Sequence, residues 1–186
     1  FPYTTLFRSE QTKQPLSPPQ REVADGILKG WREQDLRPVL IHGVTGSGKT
    51  QVYMELMEEV IRQGKQVILL IPEIALTYQT VQRFYRRFGA GISVLHSRLS
   101  PGERSDQFER AKKGELQVMI GPRSALFTPF PNLGLIVIDE EHETTYKSDH
   151  TPKYDTIEVA LKRVQDKDNN GILLLGSATP SVVSYQ

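Results

Sequence analysis

Gly43, Gly46, Gly48, Lys49 and Thr50 fall in the run Gly43-Val44-Thr45-Gly46-Ser47-Gly48-Lys49-Thr50, which has the order Gly-x-x-x-x-Gly-Lys-Thr. In a loop of this kind backbone N–H groups close around phosphate oxygens, and side chains at the glycines would block that approach. Lys49 is then in reach of β- and γ-phosphates, and the Thr50 hydroxyl is placed to ligate Mg²⁺. Gly43, Thr45, Gly46, Ser47, Gly48, Lys49 and Thr50 are therefore the candidate set for holding a nucleoside triphosphate. A second constellation lies in Leu133 to His142, where an apolar run ends in Asp139-Glu140. Two carboxylates delivered at the end of a buried strand suit Mg²⁺ coordination by Asp139 and polarisation of an attacking water by Glu140. Taken alone, such acids are as often turn residues or helix caps. A third segment, Gly176-Ser177-Ala178-Thr179-Pro180, follows the apolar run Ile172 to Leu175 and reads either as a simple turn or as part of the same site.

Elements that would position these groups follow from the pattern of apolar residues. Val39 to Ile41 reads as the strand feeding the phosphate loop, and a helix is expected from near Gln51 to the stop at Gly64. Further strands are expected at Val67 to Ile71, Ile92 to His96, Val118 to Ile120, Leu135 to Ile138 and Ile172 to Leu175. Ser17-Pro18-Pro19-Gln20 and Ser100-Pro101-Gly102-Glu103 are helix starts with capping-box spacing. The first of these helices should bury Val23, Ile27, Leu28 and Trp31 on one face. Helices also fit around Val81 to Phe88 and from Asp155 to Val164. Strands alternating with helices imply an α/β fold, a mostly parallel sheet with helices on both faces.

Composition narrows the class. In 186 residues, 38% are hydrophobic and 24% charged, the balance of a globular chain of one domain. No apolar run approaches the roughly 20 residues of a membrane span, so no membrane partner is expected. The absence of cysteine excludes disulfides and thiolate metal sites, and it fits a reducing cytoplasm. A net charge of +1 gives no global basic field, so any nucleic-acid contact must come from a local surface. Phe1 to Ser9 looks like the in-frame translation of a sequencing-adapter oligonucleotide and is set aside from the fold. Residues 10–16 read as a linker and residues 17–186 as the domain.

The motifs also occur in a recognisable order. Gly43 to Thr50, IPEIALT from Ile71 to Thr77, Leu95-His96-Ser97, GPRSALFTPF from Gly121 to Phe130, IVIDEEHE from Ile136 to Glu143, Tyr146-Lys147 and GSATPS from Gly176 to Ser181 resemble the PriA family. These are the primosomal replication-restart 3′→5′ DNA helicases of superfamily 2. The resemblance runs from about Ser17 to Gln186 and implies the first of two RecA-like motor domains of a P-loop NTPase. It implies ATP and Mg²⁺ as ligands, with Gln20 reading adenine, although Gln20 equally completes the capping box. It implies that His142, Ser177 and Thr179 link nucleotide state to strand movement. Pro72, Glu73, Thr77, His96, Ser97, Arg123 and Ser124 would line the single-strand path. Tyr146 and Tyr154 either stack on bases or pack against the domain.

One departure stands out: Lys153-Tyr154-Asp155 occupies the place where the family carries Arg-Tyr-His, in a loop with few aromatics. The family also implies an N-terminal DNA-binding region, a second motor domain with an arginine finger, a cysteine-rich zinc module, and forked DNA and primosome proteins as partners, all beyond this chain. Alternative readings are another superfamily 2 translocase, or a nucleotide-binding module without catalysis of its own.

Overall fold

The computed structural model describes residues 14–44, 46–140, 154–166 and 169–178. Its chain order is α1 (Pro18–Arg32), β1 (Val39–His42), α2 (Lys49–Arg62), β2 (Gln66–Leu70), α3 (Tyr78–Phe88), β3 (Ile92–Val94), α4 (Pro101–Lys112), β4 (Val118–Gly121), β5 (Leu133–Asp139), α5 (Thr156–Val164) and β6 (Ile172–Ser177). The six strands form one sheet in the order β1-β6-β5-β2-β4-β3, and every neighbouring pair is parallel.

The alternation of side chains along a strand sorts the core into two layers. Val67 and Leu69 of β2, Leu135 and Val137 of β5, and Leu174 of β6 pack with α1, α2 and Phe84 of α3. Ile68, Leu70, Ile136, Ile138, Leu173 and Leu175 face the other way, onto Ala111 of α4 and Ala160 and Val164 of α5. Because both faces are covered, β2, β4 and β5 read as near-continuous apolar runs.

Each of the expected strands and helices is present, but two boundaries and one buried face differ for local reasons. The helix after the phosphate loop begins at Lys49, not near Gln51, because Gly48 takes the left-handed conformation (φ +83°) and turns the chain straight into the first helical turn. The edge strand β3 pairs with β4 only over Ile92 to Val94, so His96 lies beyond it in the following turn. Val23 is not in the core: the buried stripe of α1 is Ala24, Ile27, Leu28 and Trp31, and one residue of helical rotation leaves Val23 42% exposed. Three short 3₁₀ turns, Glu73–Ala75, Gly89–Gly91 and Arg123–Phe127, had no clear signal in the pattern.

Candidate functional site

In a parallel sheet the loops after the strands gather at one edge, and ligands bind there. Strand order makes this edge specific. β6 and β5 lie between β1 and β2, so the loop after β1 sits beside Ser177 and Asp139. Asp139 pairs in register with Gly176, and Gly176 with Ile41. The Gly43 N–H donates to the Ser177 carbonyl at 3.2 Å, which pins the start of the phosphate loop to the end of β6.

Within the loop Gly46 (φ +80°) and Gly48 (φ +83°) occupy the left-handed region that other residues rarely adopt. Lys49 and Thr50 open α2 and are half-buried. The Lys49 ammonium donates to the Gly43 carbonyl at 2.5 Å and lies near the Val44 carbonyl at 3.5 Å, so it folds over the mouth of its own loop. Thr45 lies outside the described residues. A helix N-terminus with a lysine beside it is an arrangement suited to phosphate.

Gln20 divides its carboxamide. Its Oε1 accepts from the Ser17 N–H at 2.9 Å, half of the expected capping box, while Nε2 donates to the Ser47 carbonyl at 3.1 Å. The first helix is thereby fastened to the phosphate loop. A Cβ on Gly48 would sit 2.2 Å from that Nε2, a second reason for glycine there.

Asp139 ends β5, and its Oδ1 accepts from the Tyr53 hydroxyl at 3.0 Å. Tyr53 is 1% exposed on α2, one turn from Thr50. Its hydroxyl also explains Gly176, where a Cβ would lie 1.6 Å from the Tyr53 oxygen. Burial pushes the Asp139 carboxyl above the ordinary carboxylate range; the Tyr53 hydrogen bond and the Lys49 charge oppose this, and the Glu140 charge adds to it. Glu140 follows with φ +53°, a strained conformation for a glutamate that re-aims the chain just where the second carboxylate is presented.

Thr50, Tyr53 and Asp139 wall a cavity of about 110 Å³. A larger cleft of about 1210 Å³ runs past Gly46 to Gln51, Asp139, Glu140 and the outer face of α3. Among the described residues no cluster of three or more His, Cys, Asp or Glu could hold a metal by itself. One hydroxyl and one or two carboxylates beside a phosphate loop suit Mg²⁺, which keeps waters and takes phosphate oxygens as ligands.

The remaining candidates sit further along the same edge. Glu73, after β2, accepts from the Ser97 N–H, after β3, at 2.8 Å. That bond, with His96 and Arg98 nearby, holds its carboxyl below the usual range. Pro72 opens this 3₁₀ turn, and Thr77 caps α3 by accepting from the Thr80 N–H at 3.2 Å. The His96 Nδ1 accepts from the Arg98 N–H at 3.2 Å. Arg123 and Ser124 lie in the 3₁₀ turn after β4, which Arg163 holds by donating to the Leu126 and Thr128 carbonyls. The Arg123 guanidinium stacks 5.3 Å above the Tyr154 ring, and that ring meets Phe127 edge-on at 5.5 Å. Tyr154 thus packs on the domain, with Arg123 over its face. Ser177 is buried at the end of β6. His142, Tyr146 and Thr179 lie outside the described residues.

A DEAD/DEAH box helicase family model matches residues 17–186. The chain belongs to the DEAD/DEAH box helicase family. Among curated proteins it is similar to the replication restart protein PriA of Bacillus subtilis (strain 168), 43% identical over 184 residues. That alignment covers 99% of this chain and 23% of the relative. PriA of Haemophilus influenzae is 49% identical over 145 residues, 78% of this chain and 20% of that protein. The helicase-family chain thus spans less than a quarter of the length of these relatives. Its fold is RecA-like. RecG, in a structure bound to a three-way DNA junction, superposes with a TM-score of 0.67 at 23% identity, covering 92% of this chain and 22% of RecG. The SWI2/SNF2 ATPase core of Sulfolobus solfataricus, in complex with double-stranded DNA, gives 0.58 at 15% identity, covering 90% and 33%. Among the described residues no helix is long and apolar enough to cross a membrane.

Two features of the site escaped the sequence reading. Tyr53 is not among the candidates the motifs offer, although a buried tyrosine hydroxyl requires a partner and so carries a signal. The 3₁₀ turn that presents Arg123 had none.

Proposed function

We propose that this chain is the first motor domain of a replication-restart 3′→5′ DNA helicase and binds Mg·ATP at the phosphate loop. The observation that carries this reading is the meeting of Lys49, Thr50, Asp139 and Glu140 at one sheet edge, in a chain 42–49% identical to PriA proteins. Lys49 exchanges its loop carbonyl for β- and γ-phosphate oxygens. Thr50 and Asp139 hold Mg²⁺, Asp139 being oriented by Tyr53. Glu140 orients and polarises the attacking water, and His142 responds to nucleotide state. Mg²⁺ held by Thr50 and Asp139 would help neutralise the charge that develops on the transferred phosphoryl group. Gln20, fastened to Ser47, lies at the adenine end. Ser177 and Thr179 transmit nucleotide state from the end of β6.

Single-stranded DNA runs along the other half of the edge. The exposed Thr77 and Ser97, with Ser124 and the Arg123 guanidinium, supply phosphate contacts. Pro72 and His96 shape that path, Glu73 braces it, and Tyr154 flanks it; Tyr146 is a candidate for stacking on bases. Forked DNA, a second motor domain and primosome proteins are the partners of the longer protein, and the cell interior is its location.

Calorimetry of Mg·ATP binding to the chain and to Lys49→Ala, with and without short single-stranded DNA, tests the proposal. Binding lost in Lys49→Ala and strengthened by DNA is the expected result. A folded chain that binds no nucleotide at all refutes the site.

A further inference from the structure

The outer wall of the nucleotide cleft belongs to α3, and three arginines of that helix border it: Arg83, Arg86 and Arg87. Their circumstances differ. Arg87 is committed to α2, donating to Glu55 at 2.9 Å and Glu58 at 2.8 Å, with its side chain 13% exposed. Arg21 joins the same lattice through Glu55 at 3.1 Å. Arg83, one turn earlier, is exposed and has no hydrogen bond or ion pair among the described residues. Unlike Arg86 and Arg87, it also walls the small cavity, where its companions are Thr50, Tyr53, Thr80 and Asp139. Arg83 therefore borders both spaces around Thr50 and Asp139.

We infer that Arg83 is a phosphate-binding residue that recognises the terminal phosphate of a nucleoside triphosphate from within this domain. The inference rests on the reading of the phosphate loop as a nucleotide site. With the loop and Lys49 on one side, the end of the phosphate chain lies toward Thr50, Asp139 and Glu140, which is the volume Arg83 borders. A guanidinium carries five donors in a planar fork that matches phosphate oxygens, and charge-assisted bonds of that kind are the stronger class. A diphosphate lacks the group that Arg83 meets. If Arg83 served only to neutralise Asp139 and Glu140, it would act through the metal and influence diphosphate and triphosphate alike.

The test is calorimetric binding of Mg·ADP and of the Mg²⁺ complex of a non-hydrolysable β,γ-imido ATP analogue to the chain and to Arg83→Gln and Arg83→Lys. The expected result for Arg83→Gln is about a tenfold or greater loss of affinity for the triphosphate, with ADP affinity unchanged within about twofold. Arg83→Lys should recover part of the loss. Parallel loss for both nucleotides, or no loss for either, overturns the inference. ADP binding that Lys49→Ala removes keeps the phosphate-loop reading in place whatever Arg83 does, whereas a folded chain that binds neither nucleotide overturns both. Thermal melts serve as the folding control, because an exposed side chain can be exchanged without opening the core.

Discussion

Asp139 is the carboxylate proposed to hold a metal, and its setting is unusual for that role. It is half-buried at the end of β5, it has Glu140 next to it, and the Tyr53 hydroxyl donates to it. That hydroxyl fixes one oxygen of the carboxylate. The same oxygen atom of Tyr53 fills the space a side chain at position 176 would need. Tyr53→Phe should therefore destabilise the chain by about 1.5–3 kcal/mol, the usual worth of a hydrogen bond to a charged group. For a chain of this size that lowers Tm by about 2–4 °C for each kcal/mol. Gly176→Ala should be worse, since its Cβ overlaps the phenol. It should be partly rescued in the Tyr53→Phe background, and additive losses across the double-mutant cycle would show that the two positions do not share this space. The phosphate-loop lysine and the paired acids were legible in the sequence because each residue type announces its chemistry. Tyr53 and Gly176 were not, because their meaning is a contact between residues 123 positions apart along the chain.

At the level of elements, hydrophobic periodicity recovered the six strands and five helices, and capping residues located two helix starts. Boundaries failed where backbone conformation and not burial decides them, as at Gly48, and at β3, whose pairing ends early on an edge. The short turns after β2 and β4 were invisible for a different reason: each is held by a contact distant in sequence, Arg163 reaching into the turn after β4 and Glu73, within the turn after β2, accepting from the Ser97 N–H. Glu73 joins two such loops through the Ser97 N–H. Its carboxyl is held below the ordinary value, so the ionised form is the one that stabilises the fold. That contribution is present above the unfolded-state pKa of about 4.3 and is lost as pH falls through the lower folded-state value. Glu73→Gln should accordingly lower stability at pH 7 by at most about 1 kcal/mol, since the carboxylate is exposed and screened. In melts followed by circular dichroism, the gap between the two proteins should close as pH drops below 4. A gap independent of pH would mean that the carboxylate charge plays no part in the staple.

The whole molecule presents one sheet edge with two kinds of loop on it. Ends of β1, β6 and β5 carry the groups suited to phosphate and metal, while ends of β2, β4 and β3 carry hydroxyls, a guanidinium and aromatic rings. Strand order alone imposes this division, and a rigid sheet between the halves is what would let a change at Asp139 be felt at Glu73, since β5 and β2 are direct neighbours. Every described wall of the proposed nucleotide cleft nonetheless comes from one flank of this fold: Gln14 before α1, the phosphate loop, α2, α3 and the end of β5 with Glu140. Catalysis of phosphoryl transfer depends on charge stabilisation from all sides, and an arginine delivered across the cleft contributes on the order of 10³ to 10⁵ in rate in phosphate-loop enzymes. Arg83 would strengthen binding of the triphosphate but approaches from the same domain as the loop. The 186-residue chain should therefore bind Mg·ATP yet turn it over very slowly, with little stimulation by single-stranded DNA, and it should not unwind a duplex. A coupled phosphate-release assay measures this directly. Glu140→Gln should remove whatever turnover exists while leaving binding intact, which separates enzymatic activity from a contaminating ATPase. Vigorous DNA-stimulated hydrolysis that Glu140→Gln abolishes would mean that this one domain assembles a complete catalytic site, and the division of labour across the cleft would have to be abandoned.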